Sequence, residues 1–240
     1  MFTHQGDTRT FEHNLKIAAL LSFVAGVVNV VGFISVHVLT TNVTGHFAFF
    51  ADDMLRLNIR GGFIFFLYIF TFFMGSFVSN VLVETMYKKI GKHTFIIPIA
   101  LEITVLLTLS FAGDYFYKAQ PHAIALCLLF IMGLQNSLVT KISNAVVRTT
   151  HLTGLFTDLG IETSQLFFYT SGEQRKKLSR TIGLRLRIIV FFFTGGVLGG
   201  LLYAKIGFYS LLIPSAILSG GLIYDAIAFK IETMTKKQEP

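Results

Sequence analysis

Long apolar blocks alternate with short polar ones along the chain: roughly 15 to 38, 62 to 86, 94 to 112, 122 to 140, 186 to 204 and 208 to 229. A helix needs about 20 mainly apolar residues to cross the hydrocarbon core of a bilayer, so each block predicts a transmembrane helix. The first run, about 24 residues long, exceeds the core of a cleavable signal and has no clear small-residue cleavage site, which predicts a retained first span.

Two segments break the pattern. Residues 40 to 51 mix Thr, Gly and Phe ahead of Asp52 and Asp53, and residues 149 to 169 mix Thr, Gly, Phe and Leu with Asp158 and Glu162. Each is too apolar for a solvent loop and too polar to face lipid throughout. Irregular backbone at membrane depth is tolerated only when buried in protein or lining a wet cavity, so each segment predicts a re-entrant stretch or a broken helix. An amphipathic helix lying on the interface is the alternative.

The two segments echo each other. TTNVTGHF from Thr40 to Phe47 answers TTHLTGLF from Thr149 to Phe156, GVVN from Gly26 to Asn29 answers GLQN from Gly133 to Asn136, and KIGKHTFIIP from Lys89 to Pro98 answers KIGFYSLLIP from Lys205 to Pro214. The offset drifts from 107 to 109 to 116 residues along the copy, which loops absorb. Such periodicity predicts an internal duplication, with repeat 1 at about 15–112 and repeat 2 at about 122–229, in a single membrane domain covering 1–240. Three spans per copy make the second copy enter the membrane from the opposite face. The expected fold is therefore all-α and integral to the membrane: six transmembrane helices as two inverted three-helix repeats, each with a T-G segment after its first helix.

Composition agrees. Of 240 residues 53% are hydrophobic and 14% charged, with 26 Phe and a mean hydropathy of +0.66, whereas soluble domains carry about 25% charged residues. The net charge of +7 raises nucleic acid as a partner, but its distribution argues against that. With six spans and both termini cytoplasmic, sixteen of the 20 Lys and Arg residues fall inside, leaving only Arg56, Arg60, Lys118 and Lys205 outside; that is the positive-inside pattern. Were the T-G segments full spans, making eight, the tally would weaken to fourteen against six. The cluster from Arg175 to Arg187 orients the chain and meets anionic lipid. Cys127, the single cysteine, allows no intrachain disulfide and reads as a small apolar filler.

The candidate chemistry follows the repeat. Threonine hydroxyls donate and accept without the cost of a buried charge, and glycine lets backbone turn and approach a ligand closely. Thr40, Thr41, Thr44 and Gly45 are expected to line one half of a solute path, with Thr149, Thr150, Thr153 and Gly154 lining the other; helix capping by Thr is the alternative role. Asn29, Gln135 and Asn136 carry amides that must bond across helices or face a cavity. Glu102, about 12 Å into the third span at 1.5 Å per residue, is a candidate proton or cation site; its counterpart in the second copy is Leu218. His46, Asp52, His151 and Asp158 offer metal-ligand chemistry, yet match no ligand spacing such as H-E-x-x-H, and the histidines do not repeat: His46 aligns with Leu155 and His151 with Asn42. No cofactor is implied. Gly195, Gly196, Gly199 and Gly200, with Gly75 and Ser79 at similar spacing, permit close helix packing.

A first span with G-x-x-N, a T-G motif, then GLQN followed by TT-x-x-TG-x-x-x-D resembles the YoaK-like family of bacterial inner-membrane proteins, a domain of unknown function with about six spans. The resemblance covers nearly the whole chain and is most specific from Gly133 to Asp158. Typical members carry Asp where this chain has Asn29, and TGN where it has Thr44, Gly45 and His46. The resemblance implies the bacterial inner membrane, a multi-pass topology and no particular substrate. The expected function is a small-solute channel or secondary transporter with its path between the repeats. The alternative is a non-transport membrane protein, either an intramembrane metal-dependent enzyme or an assembly scaffold. The expected partners are the lipid bilayer and a small solute, and the sequence is compatible with a homo-oligomer.

Overall fold

The computed structural model describes residues 9–90 and 94–236, so the Gly91–His93 part of the KIG repeat and the charges at Lys92 and Lys237 lie outside the described residues. Among these there are eight α-helices: α1 (Phe11–Val36), α2 (Val43–Leu55), α3 (Ile59–Ile90), α4 (Ile96–Ala119), α5 (Pro121–Ile142), α6 (Leu152–Gln165), α7 (Gly172–Ile206) and α8 (Leu212–Lys236). A 3-10 turn, Gly207–Leu211, joins the last two. Five helical stretches are long and apolar enough to cross a membrane: Phe11–Val36, Ile59–Tyr87, Ile96–Ala119, Pro121–Ile142 and Gly172–Ala228. Six apolar blocks were expected. The fifth stretch contains two of them, because the tight turn at Gly207, with φ of +57°, breaks the helix without an intervening polar loop.

Local chemistry sets the boundaries. Thr10 and His13 form a reciprocal capping box at the start of α1, satisfying orphan N–H groups, and Pro121 opens α5, where its missing N–H costs nothing. At the end of α1, His37 adopts the left-handed conformation, its N–H bonding the Gly32 and Phe33 carbonyls. Asn144 and Ala145 do the same after α5, with Ala145 N–H on the Thr140 carbonyl at 2.8 Å. These reversals fold the chain back into the bundle.

The core is built on α1 and α5, which are apolar all round and correspondingly enclosed: Ile17, Leu21, Val28, Ile124, Leu128 and Met132 are fully buried. α3 instead turns an exposed stripe outward, Phe63, Phe66, Phe70, Phe73 and Phe77, suited to lipid chains. Cys127 also faces outward and fills no gap, a correction to the sequence reading.

Two helix pairs meet backbone to backbone. A Cβ on Gly26 would stand 2.1 Å from the Phe192 carbonyl oxygen, and one on Gly195 2.2 Å from that of Phe23. In the other pair, Gly133 stands against the Phe72 carbonyl and Gly75 against the Phe130 carbonyl, each at 2.0 Å by the same measure. Only glycine fits such crossings. Contact order gives the directions. α1 runs parallel to α7, with Phe23 on Gly195 and Val27 on Gly199. α3 runs parallel to α5, with Tyr68 on His122, Ser76 on the Gly133 carbonyl and Glu84 on Lys141. α1 and α5 are antiparallel, because Leu21 meets Gln135 while Gly32 meets Leu128. α2 packs on α3 and α6 on α7; α4 packs on α5 and α8 on α1; α4 and α8 pack on each other. Exchanging α1–α4 for α5–α8 leaves this set of neighbours unchanged.

Candidate functional site

The two T-G segments begin two short helices. After the reversal at His37, the chain returns to Asn29, seven residues back along α1 and about 10 Å from its end at 1.5 Å per residue. There the Thr41 N–H and hydroxyl both donate to Asn29 Oδ1, at 3.2 and 3.0 Å. From that depth α2 sets off towards the end of α1, then turns into α3. The second copy repeats the manoeuvre: Thr150 Oγ1 donates to Asn136 Oδ1 at 2.7 Å, and α6 starts beside the middle of α5. At 13 and 14 residues each helix is about 20 Å long, short of the ~30 Å hydrocarbon core.

Both helices point their amino ends into one cavity of about 920 Å³. Asn29, Thr41, Thr44, Gly45, Asn136, Thr150 and Thr153 line it, with Asn42, Arg148 and His151. A second cavity of about 420 Å³ adjoins the first, sharing Arg148 and His151 and reaching Gly154, Asp158 and Arg185. Three residues expected on the path lie elsewhere. Thr40 and Thr149 are fully buried, their hydroxyls without a partner among the described residues; the Thr40 methyl fills the space beside Gly32. Gln135 is fully buried too and donates to the Leu21 carbonyl at 3.0 Å, which ties α5 to α1.

Gly45 and Gly154 sit inside the first turns of α2 and α6, and neither has positive φ. The turn expected from glycine is absent there, because the reversal is made upstream by His37, Asn144 and Ala145. Their role is room. A Cβ on Gly45 would approach Asn42 Nδ2 to 3.0 Å, and one on Gly154 would come within 2.6 Å of the His151 ring. Each glycine therefore admits the side chain that stands over its helix end.

Of the metal-ligand candidates, His151 and Asp158 line the same smaller cavity, while His46 and Asp52 lie apart from them. His46 is buried, its Nε2 2.9 Å from the Leu39 carbonyl oxygen and its ring against Phe65 and Tyr68. Asp52 pairs with Arg56 at 3.0 Å on the surface. Asp158 pairs with Arg185 at 3.1 Å, and Glu162 takes the same guanidinium through two bonds of 2.9 Å. Among the described residues no three His, Cys, Asp or Glu side chains come together as metal ligands would. Glu102 is fully buried off the cavity, with neither carboxyl oxygen partnered among the described residues. Leu218, its counterpart, is buried likewise.

Arg148, Phe72 and Phe192 also line the cavity, and reasoning from sequence passed them over. Phe72 and Phe192 share the 120-residue offset of Gly75 and Gly195, a signal hidden among 26 Phe. Arg148 precedes TTHLTG directly and aligns with Leu39 before TTNVTG; in the sequence it is one of the sixteen charges of the positive-inside pattern and carries no site signal of its own.

A family described as "Protein of unknown function (DUF1275)" matches residues 17–224. The UPF0700 transmembrane protein YoaK of Bacillus subtilis (strain 168) is 26% identical over 203 residues, covering 82% of this chain and 86% of that protein. No solved structure matches.

Proposed function

The chain belongs to this family of unknown function, and we propose that within the membrane it acts as a small-solute channel or secondary transporter. The observation that carries the proposal is the cavity between the amino ends of α2 and α6: polar backbone at membrane depth is tolerated where it is buried in protein or lines a water-filled cavity, and these two helix ends border a cavity. Half-helices that meet this way leave N–H groups directed at a common point, and threonine and asparagine side chains from both copies supply the remaining polar surface.

The proposed topology has six spans, α1, α3, α4, α5, α7 and α8, in the bacterial inner membrane with both termini cytoplasmic. The helix directions support it. Eight spans would make α1 and α5 parallel, whereas their contacts run antiparallel. The same antiparallel relation between α1 and its counterpart α5 supports inversion of the two copies about an axis in the membrane plane. Two tests apply. Liposomes holding the purified protein should release or take up small polar solutes faster than empty ones. In cells, a cysteine at Lys118 of a Cys127→Ser background should react with an impermeant thiol reagent without permeabilisation; reaction only after permeabilisation rejects the topology.

A further inference from the structure

Resting on that transport reading, we infer that the solute is a small oxyanion, a carboxylate or phosphate, held by Arg148, the uncapped amino end of α6 and the amides of Asn29 and Asn136. Charge is the first ground. Among the described residues Arg148 is the only Lys, Arg, Asp or Glu side chain lining the large cavity, and its guanidinium makes no ion pair or hydrogen bond with them. The nearest acid in the adjoining cavity, Asp158, is already held by Arg185 at 3.1 Å. Among the described residues a cation would meet one fixed positive group in this chamber and no carboxylate to offset it.

Hydrogen-bond polarity is the second ground. Asn29 Oδ1 accepts from Thr41 and Asn136 Oδ1 accepts from Thr150. Asn29 Oδ1 thus has both lone pairs engaged and Asn136 Oδ1 has one of its two, and the Nδ2 group of each amide is left to donate. The helix ends add to this, unequally. Asn42 Oδ1 caps α2 through the Gly45 N–H at 3.0 Å, whereas His151, its counterpart, makes no capping bond to α6. The first N–H groups of α6 donate to no capping side chain and lie beside Arg148 and the His151 ring, with the positive end of the helix dipole behind them. A group rich in acceptors and carrying negative charge satisfies all of these donors together.

The test uses the full chain in liposomes, comparing formate and inorganic phosphate with glycerol at matched osmolarity and ionic strength, in the wild type, Arg148→Gln and Arg148→Lys. Arg148 is exposed on a loop, so melting temperature should not change. The expected result is protein-dependent oxyanion flux above glycerol flux, reduced about tenfold by Arg148→Gln and partly retained by Arg148→Lys. Glycerol flux without oxyanion flux overturns the anion assignment, oxyanion flux unaltered in Arg148→Gln overturns the site built on Arg148, and either leaves transport standing. Should nothing cross, the transport reading fails and binding decides the anion: a rise in wild-type melting temperature with formate or phosphate that Arg148→Gln lacks keeps the site, and no such rise overturns it.

Discussion

α2 and α6 reach equivalent places by different chemistry. α2 lies on α3 through rings, His46 on Phe65 and Tyr68, Phe49 on Phe65 and Phe50 on Phe66. α6 lies on α7 through charge, with Arg185 gripping Glu162 and Asp158. At the cavity the first copy presents Leu39 and a capped helix end, the second Arg148 and an uncapped one. Two features are shared: the asparagine that receives the returning threonine, and the glycine crossings of the long helices. Backbone placement in each half therefore depends on the crossing and the Asn–Thr contact, while side-chain chemistry is free to diverge, capped and neutral in one half, uncapped and positive in the other.

The largest expected effect breaks what the halves share. Gly133→Val places a branched side chain where even a Cβ lies 2.0 Å from the Phe72 carbonyl oxygen, so α3 and α5 must separate. A loss of about 3 kcal/mol or more in detergent stability is expected. Gly160→Ala, inside α6 and with nothing within 4 Å of its Cβ, should not lower the melting temperature in the same assay and should raise stability by up to about 1 kcal/mol.

Next come the devices that differ. Arg185→Ala leaves the largely buried Glu162 carboxylate without its partner and should cost roughly 2 kcal/mol, seen as a lower melting temperature and earlier proteolysis between α6 and α7. Asp158→Asn should cost far less, since that carboxylate is half exposed and screened. Glu102→Leu should raise stability by about 1 to 2 kcal/mol, because it removes two unpartnered buried oxygens and copies the Leu218 of the other half. An unchanged or lower melting temperature would show that the carboxyl has a partner in the folded protein.

The smallest contrast sharpens the comparison. Asn29→Leu removes two hydrogen bonds and Asn136→Leu one. At roughly 0.6 kcal/mol per bond within a membrane, the first should melt lower than the second, and both should reduce flux.

Much of this was legible beforehand. Six apolar blocks announced an all-α membrane protein, and the echo of TTNVTG in TTHLTG placed the two short helices within a few residues. The path back into the bundle was less visible, because it depends on left-handed backbone at His37, Asn144 and Ala145, residues with no turn signature as strong as glycine. Glycine itself misled: at Gly45 and Gly154 it makes room for a side chain inside a helix. Arg148 shows in the sequence only as a charge, since the fold-back is what brings a residue in a loop between helices to the cavity wall.

The central claim is that a solute passes between the two T-G segments. Thr44→Cys and Thr153→Cys, made singly in a Cys127→Ser background, place a thiol at each amino end on the cavity wall. With the protein in liposomes, complete reaction with a bulky methanethiosulfonate reagent should abolish protein-dependent solute flux at both positions, and excess solute should slow the reaction. Full modification at both positions with flux unaltered would contradict the account.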